Sequence, residues 1–177
     1  MQEAEGHMAE SEWTIARADP EDAEDILRFL NRVGGESDNL LFGADEMRLT
    51  VEQEREWIRS QGSLPHSVTL TAKRNGEIVA IGSLAGSNRE RIAHRAEISL
   101  VVSRDCWGQG IGRSMMEALI RFGRENAIEA IDLKVRSDNR RAIRLYESLG
   151  FKACGTYERF FKIAGGYYDA LLMNLSL

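Results

Sequence analysis

A chain of 177 residues, 43% hydrophobic and 29% charged, is of a size at which a single core buries enough apolar surface to be stable, so one domain is expected. Its 23 basic against 28 acidic residues, a formal net charge of -5, exclude the general electrostatic footprint of a nucleic-acid binder and favour a cationic or neutral partner. No apolar run approaches the ~18 residues of a membrane helix, and the acidic start has neither the basic nor the apolar part of an export signal.

The two cysteines, Cys106 and Cys154, match no metal-ligand spacing and no disulfide framework. A protein of the reducing cytoplasm, with no metal and no membrane partner, is therefore expected. Gly6-His7-Met8 precedes a second plausible start, so residues 1–11 read as a tail or tag remnant and residues 12–177 as the domain.

Trp13 to Ala18 alternates apolar and polar side chains and predicts a strand. Asp19-Pro20 supplies an N-cap and a first-turn proline to a helix carrying Ala23, Ile26, Leu27, Leu30 and Val33, which stops at Gly34-Gly35. A polar stretch to Arg48 reads as loop. Thr50 with Gln53 is a capping-box pattern, opening a second helix through Trp57 and Ile58 to about Gln61. From Ser67 the period becomes two, and Asn75-Gly76 marks a hairpin returning through Ile78 to Leu84. A strand from Ala93 to Val102 follows, then a glycine loop and a helix with Ile111, Met115, Leu119 and Phe122 on one face. Ala130 to Arg136 is a short strand and Asn139 to Leu149 a helix closed by Gly150. Two strands, Phe151 to Phe161 and Tyr167 to Leu175, turn near Gly165-Gly166. Such an order predicts an α/β protein with a mixed sheet.

Trp107-Gly108-Gln109-Gly110-Ile111-Gly112 places glycines on alternate positions between strand and helix, which frees the backbone to approach an anion. A tight turn that needs glycine only for its dihedrals explains the same pattern. The dinucleotide spacing G-x-G-x-x-G fails from Gly108, where the last position is Arg113, and from Gly110, where it is Met115; no Gly-Lys-Ser/Thr occurs.

The segment Leu100 to Met116 resembles the cofactor loop of the GNAT superfamily of N-acetyltransferases, (Q/R)-x-x-G-x-G/A, with Trp107 in place of Gln or Arg. Leu133 to Phe151, L-K-V-R-S-D-N-R-R-A-I-R-L-Y-E-S-L-G-F, is similar to that family's L-x-V-x-x-x-N-x-x-A-I-x-L-Y-E-x-L-G-F. The resemblance covers about residues 12 to 177, most specifically 96 to 152. It implies a mixed sheet of about seven strands flanked by about four helices and splayed between the fourth and fifth strands. It also implies acetyl-CoA as co-substrate, held by Leu100, Val101 and Val102, by Trp107, Gly108, Gln109, Gly110, Ile111, Gly112, Arg113 and Ser114, and by Asn139, Ala142 and Tyr146.

Acetyl transfer to an amine of pKa ~10.4 needs a proton acceptor, donors for a developing oxyanion, and a proton for a thiolate of pKa ~8.5. Resemblance makes Tyr146 the acid, although spacing alone also reads it as a buried helix residue. Leu100 and Val102 would supply N–H groups where family members bulge. Asn139 is a helix N-cap, to which the resemblance adds a contact to the pantetheine arm. For the base, Glu97 shares a strand face with Ser99 and Val101, opposite Ile98, Leu100 and Val102; a solvated glutamate is the plain alternative. His94 is a weaker candidate, and Lys134 stands where some peptide-acetylating relatives carry glutamate.

The acceptor, a small-molecule or peptide amine, would meet residues 34–48, the helix after them and the turn near Gly165. Glu36, Asp38, Asp45 and Glu46 could attract a cation or simply be solvated. The expected activity is N-acetyl transfer in a ternary complex; the alternative is a non-catalytic acyl-CoA-binding module. Self-association of the C-terminal strands into a homodimer is also expected from the resemblance.

Overall fold

The computed structural model describes residues 13–177, and the expected tail lies outside them. In chain order the elements are β1 (Thr14–Arg17), α1 (Ala23–Gly34), α2 (Val51–Gly62), β2 (Ser67–Arg74), β3 (Glu77–Gly86), β4 (Arg95–Val102), α3 (Ile111–Glu125), β5 (Ala130–Arg136), α4 (Arg140–Ser148), β6 (Lys152–Ile163) and β7 (Gly166–Ser176). Local chemistry accounts for several of their ends. Asn75 and Gly76 take φ of 53° and 85°, the pair of positive values a type I′ hairpin requires. Thr50 and Gln53 close the capping box at 3.2 and 2.8 Å. Asp19 accepts from the Glu21 amide at 2.9 Å, but the turn it caps, Pro20–Asp22, is 3₁₀. The α-helix proper begins only at Ala23.

All seven strands join one sheet in the order β1-β2-β3-β4-β5-β7-β6. Every neighbouring pair is antiparallel except β4 with β5, which α3 connects as a crossover. That parallel pair holds only at Arg95↔Ala130, Ala96↔Ile131 and Glu97↔Asp132. Beyond it the two strands part, while β5 stays paired to β7 from Ala130↔Ser176 to Arg136↔Ala170. The splay between the fourth and fifth strands is thus present. The bulge expected on β4 is not: its register with β3 runs unbroken from Gly86↔Ala96 to Ala80↔Val102.

One apolar core lies under α3 and α4, where Ile111, Met115, Leu119 and Ile143 meet Leu84, Ile98, Ile131 and Met173. A second joins Ile26, Phe29 and Val33 of α1 and Ile58 of α2 to Ile78 and Ile81 of β3. On α2 the inward position next to Ile58 is Glu54, 3% exposed, whereas Trp57 is 42% exposed.

Candidate active site

The parted strands open a cleft of about 840 Å³ bounded by β4, β5, the start of α3, α4 and the loop at 36–42. Glu97, Leu100, Val101, Val102, Trp107, Gly108, Gly110, Gly112, Arg113, Asn139, Ala142 and Tyr146 all line it. Gln109, Ile111 and Ser114 do not. Gln109 turns away, donating to Asp105 O at 2.8 Å and accepting from Arg74 at 2.9 Å. Ile111 is fully buried in the core, and the Ser114 N–H is already bonded to Gly110 O at 3.0 Å.

Backbone donors reach the cleft from two sides. Ser103 N–H donates to Val79 O at 2.9 Å, in register with the β3–β4 ladder. Antiparallel alternation therefore turns the N–H of Val101 toward β3 and those of Leu100 and Val102 toward the gap left by β5. Leu100 and Val102 are placed as expected, and Val101 offers only its side chain. From the other side comes α3, whose first amides have no partner within the helix.

Gly110 precedes that helix at φ 91°, where any side chain is strained, and Gly108 at φ 80° has open space where a Cβ would be. Gly112 differs. Its Cβ would rest 3.5 to 3.8 Å from Leu145, Leu100 and Val102, an ordinary contact, so the last glycine is not needed for its dihedrals. These amides, with the exposed Arg140 and Arg141 at the cleft wall, fit a pyrophosphate-bearing ligand. Among the described residues, no group of three or more His, Cys, Asp or Glu side chains converges as metal ligands would.

Tyr146 is half-buried against Phe151, with ring centroids 5.9 Å apart, and lines the cleft. Burial pushes its phenol up to about 12, so at neutral pH it holds its proton. Asn139 caps α4, its Oδ1 accepting from the Ala142 amide at 3.2 Å. The Trp107 indole N–H donates to Val102 O at 2.8 Å.

On the opposite wall Glu97 and Ser99 point away from the α3 core as expected, Ser99 sharing a 2.7 Å hydrogen bond with Ser83. Glu97 forms an ion pair with Lys134, which faces it from β5. His94 precedes β4 at the closed end of the splay and is absent from the cleft.

Arg136, missed in the sequence, is anchored three ways: Asp138 at 2.7 and 2.8 Å, Asp38 O at 3.0 Å, and the Tyr168 ring at 4.1 Å. The Asp138 hydrogen bonds hold its guanidinium above the ordinary value and hold the Asp138 carboxyl below its own. The apolar triplet Leu40-Leu41-Phe42, inside a stretch read only as polar, lines the cleft too.

Two of the four acidic loop residues are engaged. Glu36 accepts from the Arg104 amide at 2.7 Å and pairs with Arg32 at 3.2 Å, and Glu46 accepts from the Gly43 amide at 2.9 Å. Both hold the loop in place, and Glu36 also lines the cleft. The Gly165 turn does not line the cleft.

Comparison with known proteins gives the same picture. The chain is 29% identical over 110 residues to N-alpha-acetyltransferase RimI of Mycobacterium tuberculosis, a match covering 62% of this chain and 66% of that protein. It is 34% identical over 79 residues to the [ribosomal protein bS18]-alanine N-acetyltransferase of Escherichia coli, covering 45% and 53%. The chain thus spans about half to two thirds of the length of these curated relatives. The crystal structure of a GNAT-family acetyltransferase from Streptococcus pneumoniae superposes with a TM-score of 0.91 at 31% identity, over 94% of this chain and all of that one. The model of the acetyltransferase (GNAT) family matches residues 36–151, and the chain belongs to that family.

Proposed function

We propose that residues 12–177 act as one cytoplasmic domain transferring the acetyl group of acetyl-CoA to an amine of a small molecule or peptide. The observation that carries this reading is the convergence, on one cleft, of the free amides of β4 and α3 with a phenol that keeps its proton. Bound acetyl-CoA supplies an activated thioester. The protein's own groups do the rest. The start of α3 holds the pyrophosphate through backbone N–H groups. Leu100 and Val102 aim N–H groups at the place where a carbonyl oxygen gathers charge. Tyr146 holds a proton at Oη for a departing thiolate of pKa ~8.5. Glu97, with Lys134 as counter-ion, receives the ammonium proton of the acceptor directly or through water.

Calorimetry with acetyl-CoA, coenzyme A and ATP, followed by a thiol-release screen across amino acids, polyamines, aminoglycosides and peptides with free N-termini, tests the reading. Acetyl-CoA should bind, ATP should not, and thiol should appear only with a cognate amine. Gly110→Ala should weaken acetyl-CoA binding by at least roughly tenfold, and Gly112→Ala by clearly less. Tight binding without thiol release for any amine would make the chain a silent acyl-CoA-binding module.

A further inference from the structure

Trp107 opens the glycine loop, and its side chain is held by a hydrogen bond and by two guanidinium groups, the farther being Arg104 at 6.0 Å from the ring centroid. The indole N–H donates to Val102 O at 2.8 Å, and the ring face carries the Arg141 guanidinium 4.7 Å from its centroid. Arg141 occupies the second position of α4, is exposed, and lines the same cleft as Gly108 and Gly110. Apart from its neighbour Arg140, which acts on Asp138 through charge alone, the other basic groups lining the cleft are paired. Arg113 pairs with Glu117 and Ser148, Arg136 with Asp138, and Lys134 with Glu97. Arg141 has no carboxylate and no hydrogen-bond acceptor among the described residues. A ring beneath a guanidinium fixes its position and leaves its N–H donors free for a second, bidentate partner.

Resting on the acetyl-CoA reading above, we propose that Arg141, positioned by Trp107, binds the pyrophosphate of coenzyme A from the α4 side. The start of α3 and the loop Gly108–Gly110 meet the same group with backbone amides. Trp107 is thus a positioning residue, and the arginine it carries completes the anion pocket with the charge the glycine loop itself lacks.

Titration calorimetry on Arg141→Gln, Trp107→Leu, Trp107→Phe and the Arg141→Gln/Trp107→Leu pair, each with acetyl-CoA and its 3′-dephospho analogue, decides the matter. Arg141→Gln should weaken both ligands roughly tenfold and flatten the salt dependence of binding. Trp107→Leu should weaken them comparably, and the double variant no further, since both changes remove one contact. Trp107→Phe keeps an aromatic face and should retain most of the affinity, a rescue that plain loss of packing would not produce. Arg141 is exposed, so its variant reports even if Trp107→Leu fails to fold. Unchanged affinity in Arg141→Gln would overturn the proposal, as would a defect that vanishes with the 3′-dephospho analogue. Failure of the unaltered protein to bind acetyl-CoA would count against the acetyltransferase reading instead.

Discussion

A phenol raised to about 12 by burial keeps its proton at neutral pH, so in the proposed reaction Tyr146 enters as the protonated partner and not as the base. Tyr146→Phe removes the proton and keeps the ring against Phe151, so kcat should fall roughly 10- to 100-fold with little change in acetyl-CoA affinity or melting temperature. Single-turnover rates with thiols of differing basicity check it: the defect should grow as the leaving thiol becomes more basic, and a uniform defect would sink the assignment. The position of Tyr146 was legible through the motif from Leu133 to Phe151 and its burial through helical spacing, but the ring it packs on was not, because that contact depends on Phe151 returning across the helix end. Glu97 shows the same limit. Strand alternation placed its side chain on the correct face, but its pairing with Lys134 arises only where two strands distant in sequence come together.

At the scale of elements, helices and hairpins were legible wherever a local signal fixes them, as at Asn75-Gly76 and the Thr50 capping box. α2 is the exception in orientation. Its short amphipathic pattern gave Trp57 and Glu54 no ranking, and packing against α1 and β2 put the carboxylate inside. Burial raises the Glu54 carboxyl above its usual range. Since the folded-state value exceeds the unfolded one, the penalty is absent below about pH 4.3 and stability is lost as pH rises through the folded value. Glu54→Gln should therefore melt a few degrees higher than the parent at pH 7, where about 1 kcal/mol corresponds to 2–4 °C, with the gap closing near pH 4. Calorimetric melting at the two pH values is the check. Equal gaps at both would show that the carboxylate carries no such penalty.

For the whole molecule, β6 is one of the two sheet edges, and from Lys152 to Phe160 only Gly155 is not exposed. Tyr157 and Phe160 stack at 5.7 Å on that strand, exposed by 50% and 39%. An exposed edge of this length, with two aromatic rings on it, invites pairing with a second copy. Light scattering should give a dimer, and Tyr157→Glu should shift it toward monomer; a monomer independent of concentration would refute the expectation. The pattern of the tail showed two strands but not the break in pairing between Tyr157 and Phe161, where Arg159 adopts φ 54° and its amide donates to Asp169 at 2.8 Å.

The parting of β4 from β5 has a consequence for the life of the protein as well as its chemistry. A ladder that stops after three rungs leaves amides for an extended, amide-bearing guest to satisfy. Such a guest binds the native state and not the unfolded chain, and at a hundredfold excess over its Kd it adds about 2.7 kcal/mol of stability. On the proposed reading, the abundance of acetyl-CoA governs two things at once: how fast the acyl group is transferred, and how long each molecule escapes the proteases that take unfolded chains.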